Sequence, residues 1–153
     1  MANTRYLPEL SEKEMLTLLD EARVGRIGLN DEPQPYIVPT DFAYENGAIF
    51  IHSPSDGKKS NLARKDPHVS FEVDKYNDDV TEYRSIIIRG DIEEVFDDTG
   101  RRDAMRSLAR KAARSPGWKA HPGGSGSSGS SISIFKINIR EMTGVRSPNG
   151  GHP

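Results

Sequence analysis

A mainly-β (α+β) fold is predicted: six strands, mostly antiparallel, curling into a barrel with flanking helices. Three observations predict it. Short apolar or alternating runs rich in Ile, Val, Phe and Tyr recur along the chain. Tight turns join them, the clearest being Glu45-Asn46-Gly47, because Asn-Gly tolerates positive φ at both central positions. No regular crossover helix separates successive strands, as a parallel sheet would require. Short turns suit a meander that closes on itself.

The elements follow in order. Ser11-Glu12-Lys13-Glu14 is a capping box, with Ser at the N-cap and Glu three residues on. It opens a helix to about Ala22, whose apolar side is Met15, Leu16, Leu18, Leu19 and Ala22. Val24, Ile27 and Leu29 begin the first strand, and Asn30-Asp31-Glu32-Pro33 turns the chain. Tyr36 to Tyr44 reads as one strand and Ala48 to His52 as its return. Pro39 cannot donate to a ladder, so its strand is an edge, a bulge or a ligand-facing break.

A short helix spans Ser60 to Arg64 and stops at Asp66-Pro67. His68 to Asp74 alternates, with Val69, Phe71 and Val73 on one face. Tyr83 to Val95 is a long strand with a bulge expected at Gly90. Asp97-Asp98-Thr99 caps a basic helix from about Gly100 to Arg114, and Ser115-Pro116-Gly117 breaks it. Ser131 to Thr143 is the last strand. Its apolar phase slips at Phe135-Lys136, which predicts a second bulge there. Residues 1–146 form one domain, with 123–131 a flexible Gly/Ser loop and 147–153 a disordered tail.

Composition narrows the function classes. At 153 residues the chain is one domain by size, and 34% apolar content allows a modest core. With 14 glycines and 10 prolines, much of the chain is loop, or the monomer buries surface against a partner. A net charge of −2 gives no pull toward nucleic acid or an anionic membrane. The absence of cysteine removes disulfides, thiolate nucleophiles and Cys-based metal sites. No apolar run reaches the length of a membrane span, and the N-terminus lacks a signal-peptide core, so a cytoplasmic location is expected. His68, His121 and His152 lack metal-ligand spacing, so no metal site is expected.

The informative stretch runs from Pro35 to Arg64. A hairpin feeds a short helix through His52-Ser53-Pro54-Ser55-Asp56-Gly57-Lys58-Lys59. Helix N-termini present unpaired N–H groups and a positive dipole end, which attract phosphate. Lysine there opposes the dipole, so two lysines imply a compensating anion. A solvated helix start is the competing reading.

With these elements in place, the chain resembles the pyridoxamine 5′-phosphate oxidase-like superfamily of FMN-binding split barrels. Within it, the nitroimidazole-resistance (Nim-type) flavoproteins are most alike. The matching motifs are Val24-Gly25-Arg26-Ile27-Gly28, Pro35 to Phe42, Ile49 to Ser53, Gly57-Lys58-Lys59 with Asn61-Leu62, Val69 to Val73, and Tyr83 to Gly90. The resemblance implies a homodimer with FMN in grooves at the subunit interface. It implies that Val38, Pro39, Thr40 and Asp41 line the isoalloxazine, and that His52, Ser53, Lys58 and Lys59 surround the ribityl phosphate. Asn61, Arg84 and Ser85 are second contributors. Arg84 equally suits a cross-strand pair with Glu72 or Asp74. Trp118 covers a flavin edge across the dimer or anchors packing. The arginine-rich C-terminal segment by which true pyridoxamine phosphate oxidases grip substrate has no counterpart, so vitamin B6 oxidation is not expected.

The activity expected from the resemblance is transfer of hydride or electrons from reduced flavin to a small acceptor such as a nitro-aromatic or quinone. His52 is the catalytic candidate; its alternative is a strand-end histidine bonded to backbone. A non-catalytic holder of flavin, deazaflavin or haem on the same fold is the alternative function. A plain scaffold that binds nothing is the third. The basic helix carries arginines spread around it beside Asp97, Asp98 and Asp103, so it reads as a solvated face or a rim near an anionic cofactor rather than a nucleic-acid site.

Overall fold

The computed structural model describes residues 6–115 and 131–148. Trp118, the Gly/Ser loop up to residue 130 and the tail from residue 149 lie outside the described residues. The elements run α1 (Glu12–Glu21), β1 (Val24–Leu29), β2 (Tyr36–Asp41), β3 (Ala43–Glu45), β4 (Ala48–Pro54), α2 (Lys58–Lys65), β5 (His68–Tyr76), β6 (Tyr83–Glu94), α3 (Asp98–Ala112) and β7 (Ile132–Arg146). Among the described residues no helix is long and apolar enough to cross a membrane.

One antiparallel sheet has the strand order β2-β1-β5-β6-β7-β4-β3. Its two edges, β2 and β3, are separated in the chain by the single residue Phe42. A flat sheet cannot satisfy that link, because neighbouring strands lie about 4.8 Å apart and five strands intervene. The sheet therefore curls until its edges meet. This is the split barrel the sequence predicts, with seven strands instead of six. The extra strand arises inside Tyr36 to Tyr44, read from sequence as continuous. Phe42 is 1% exposed, and burying it takes the chain from one sheet edge to the other.

Pro39 lies on edge strand β2, where its missing N–H costs no ladder bond to a further strand. Asn46 and Gly47 both take positive φ, 52° and 80°, as the β3–β4 hairpin requires. The long pairing of β6 with β7 shifts register between Arg89 and Gly90, where Arg140 is skipped. The Gly90 bulge is thus present. The slip expected at Phe135-Lys136 is not: that stretch pairs regularly with β4 and β6. Its apolar residues simply face both ways. Phe135 and Ile137 join the barrel core, while Ile134 is buried on the opposite face.

Inside the barrel, Ile27, Leu29, Ile49, Ile51, Phe71, Val73, Ile86, Ile88 and Phe135 pack with Leu18 and Leu19 of α1. The capping box is complete: Glu14 N donates to Ser11 Oγ at 3.1 Å, and Ser11 N to Glu14 Oε1 at 2.9 Å. Helix α3 begins at N-cap Asp97, which accepts from Gly100 N at 2.8 Å. It lies on the outer side of β3, β4 and β7 and buries Ala104 and Leu108. Beyond β7, Ser147 is buried and accepts from Tyr83 N through its hydroxyl.

Candidate functional site

Edge strand β2, the end of β4 and helix α2 meet at one end of the barrel. Alternation along β2 turns Val38 and Thr40 toward the interior and Pro39 and Asp41 outward. On β4, Ile51 and Ser53 are buried inside, so His52 faces out, half-buried. Lys59, on the first turn of α2, donates to Thr40 Oγ1 at 3.3 Å. Thr40 is itself 8% exposed and donates to the Asp41 carbonyl at 3.0 Å.

Three ionisable groups therefore share a half-buried space. Burial pushes the Lys59 ammonium below its ordinary value, while the Asp41 carboxylate opposes the shift. Burial also lowers the His52 imidazole; Asp41 pulls it up and Lys59 pushes it further down. His52 is accordingly neutral at pH 7, and Lys59 is a desolvated cation whose hydrogen-bond partner is a hydroxyl rather than a carboxylate.

The entrance of α2 adds donors. Its N-cap is Gly57, which supplies no side-chain cap, and no acidic residue stands in the first turn. The first N–H groups of a helix have no partner within it. An anion has two sources of attraction here, the N–H groups and Lys59. The residues fit a phosphorylated ligand with a flat ring: cationic and N–H donors at α2, and an edge strand carrying Val38 and Pro39.

The other sequence candidates are placed differently. Ser53 is 2% exposed, inside β4. Lys58 turns away from Lys59, meeting Asp31 at 3.2 Å and lying over the Tyr36 ring, 4.8 Å from its centroid. Asn61 donates to the Asp56 carbonyl at 3.3 Å, within the loop that leads into α2. Arg84 donates to Glu21 of α1 at 3.0 Å, so it makes neither of the cross-strand pairs considered for it. Ser85 pairs in register with Asp74 and Val145, whereas His52 pairs with Ile134. Most of β7 separates those levels, so within one chain Arg84 and Ser85 do not join the Thr40–His52–Lys59 cluster.

The family described as pyridoxamine 5′-phosphate oxidase matches residues 11–146, which span every strand and helix named above. The chain belongs to this family.

Two solved structures share the fold, and a further protein is similar in sequence. An FAD-binding protein of Mesorhizobium loti is 28% identical, covers 92% of this chain and 97% of its own, and superposes with a TM-score of 0.70. A candidate 5-nitroimidazole antibiotic resistance protein of Bacteroides thetaiotaomicron is 21% identical, with 92% and 90% covered and a TM-score of 0.71. An uncharacterized protein of Rhizobium meliloti (strain 1021) is 25% identical over 145 residues, 91% of this chain and 94% of its own.

In this pyridoxamine 5′-phosphate oxidase-like chain, sequence reasoning missed three features near or beside the site. Arg64, read only as a helix end, is the hub of a network with Ser55, Glu94 and Ser133. Lys111, read as part of a solvated basic helix, is 6% exposed. Arg26 meets Glu72 at 2.9 Å and Asp74 at 3.3 Å on the outer sheet face. Alternation along β1 and β5 places all three on that face, which is the one signal in the sequence that pairs them.

Proposed function

We propose that this protein binds FMN through the α2 entrance and transfers hydride or electrons from it to a small acceptor. The single observation that carries the reading is the uncapped N-terminus of α2 beside a half-buried Lys59 that bonds to Thr40 instead of an acid. Lys59 and the α2 N–H groups would hold the phosphate; Val38, Pro39, Thr40 and Asp41 would border the ring. Membership of the family and the FAD-binding relative at 28% identity support a flavin, FMN or FAD, as the ligand class.

Bound flavin would supply the redox chemistry. The chain supplies orientation and charge. Neutral His52 orients by hydrogen bonding, and Lys59 places positive charge near the bound anion. The acceptor class is a nitro-aromatic or quinone, small enough to reach a ring held at an edge strand.

The assembly proposed is a homodimer. The outer face of β2-β1-β5-β6 exposes Ile37 (67%), Ile87 (46%) and Val24 (39%) around the Arg26–Glu72–Asp74 ion cluster, and a second copy would cover it. Ser85 lies on this same face, so in the dimer Ser85 would serve the neighbouring site, whereas Arg84 alternates to the other face and bonds Glu21 of α1.

The test is donor oxidation by FMN-loaded protein, with NADH or NADPH, with and without a nitro-aromatic or quinone. Acceptor-stimulated turnover above that of free FMN supports the enzyme. Tight FMN binding without stimulation favours the second reading, a non-catalytic flavin, deazaflavin or haem holder. His68 is exposed, which leaves His52 as the half-buried imidazole among the described residues and the one candidate for haem iron.

A further inference from the structure

We infer that Arg64 is a positioning residue for the anion-binding end of α2, fixing the turn from Pro54 to Gly57 that aims the donors there. The inference rests on the phosphate reading above.

Arg64 stands in the last turn of α2, yet its guanidinium reaches back to the segment that precedes the helix. Nη1 donates to the Ser55 carbonyl at 2.6 Å. Nε and Nη2 grip Glu94, at the end of β6, at 2.8 and 3.4 Å. Nη2 also donates to Ser133 Oγ at 2.9 Å, and Ser133 Oγ donates in turn to Ser55 Oγ at 2.9 Å. The guanidinium lies over the Phe135 ring, 5.8 Å from its centroid. One side chain thus joins the turn to β6 and β7. The Glu94 side chain is 12% exposed, and its hydrogen bond from Arg64 holds its carboxyl below the usual range. A fork bonded to a carboxylate on one side and to backbone on the other keeps little rotamer freedom.

The turn's carbonyls are all engaged on its inner side. Pro54 O accepts from Gly57 N at 3.1 Å and Ser60 Oγ at 2.7 Å; Ser55 O accepts from Arg64; Asp56 O accepts from Asn61. In a trans peptide the N–H points opposite the C=O. Holding Ser55 O therefore turns the Asp56 N–H outward, beside the first N–H groups of the helix. Arg64 itself is committed to Glu94, Ser133 and Ser55. It sets where the phosphate's donors stand and is not one of them.

The experiment compares dissociation constants for FMN and for riboflavin, which lacks the phosphate, in wild type, Arg64→Lys, Glu94→Gln and Ser133→Ala. Glu94→Gln is decisive because it removes a negative charge. Charge alone would tighten FMN; a positioning role weakens it. The expected result is a loss of FMN affinity of about tenfold in Arg64→Lys and Glu94→Gln, less in Ser133→Ala, with riboflavin affinity unchanged. Thermal unfolding identifies any variant that fails to fold, and Ser133→Ala, which leaves both charges in place, then carries the comparison. Unchanged or tighter FMN binding in the variants overturns this inference alone. A wild type that binds neither ligand overturns the flavin reading and this inference with it.

Discussion

The Lys111 ammonium lies over the Phe42 ring, 3.6 Å from its centroid, and donates to the Leu19 carbonyl at 2.8 Å. Leu19 is in the last turn of α1, where carbonyls lack a partner in the helix, so Lys111 caps α1 from α3. Phe42 is the residue at which the sheet's edges meet. One cation therefore ties both long helices to the barrel's seam.

Burial pushes the Lys111 amine down to about 8 from an ordinary 10.5. Between those values the unfolded chain holds a proton that the folded protein has released, so this group makes stability rise with pH across that window. Lys111→Met leaves the Leu19 carbonyl without its donor, a cost of about 1–3 kcal/mol. Urea denaturation at pH 7.5 and pH 10 should show the wild-type advantage over Lys111→Met growing with pH. Parallel curves would contradict this.

Phe42 stacks edge-on against Phe71, centroids 5.2 Å apart at 71°. Phe42→Ala removes the ring on which the seam closes and should cost about 3–5 kcal/mol. Denaturation midpoints read this directly. A loss below about 1 kcal/mol would mean that the seam holds without the ring.

The seam also shows what the sequence revealed and what it hid. Local signals were sound: the Ser11–Glu14 capping box, the Asn46-Gly47 turn, the Asp97 cap and the edge character of Pro39 all rest on residues close in sequence. The break at Phe42 was hidden, because Tyr36 to Tyr44 is mostly apolar and aromatic, with Thr40 and Asp41 its polar members, and only closure of the sheet forces the bend. The phase change at Phe135 looked like a bulge because a strand buried on both faces loses its alternation. The Lys59–Thr40 contact joins a helix to an edge strand, and Arg64 joins α2 to β6 and β7. No period or spacing announces either one.

Glu72 gives a pH signature on the uncovered sheet face. Burial first, and Asp74 second, raise its carboxyl to about 7, against the pull of Arg26. The folded value lies above the ordinary 4.5, so the stability this group contributes is present below 4.5 and is lost as pH rises through 7. Glu72→Gln should flatten that decline. Denaturation of both proteins at pH 5 and pH 7.5 checks it; an equal slope would remove Glu72 as the source.

His52 reports on the cluster without any ligand. Its imidazole should titrate below the ordinary 6.5 when followed by NMR of the ring C–H. Asp41→Asn should lower the midpoint further, and Lys59→Met should raise it, because the two charges act in opposite directions. Indifference to both substitutions would mean that the three groups do not share one space.

The most direct measurement is a visible absorption titration of the purified protein with FMN, run beside Lys59→Met. The site described here predicts a perturbed flavin band that saturates at one FMN per chain, with affinity weakened by about 1.5–3 kcal/mol in Lys59→Met. No uptake by the wild type, or equal uptake by both proteins, would contradict it.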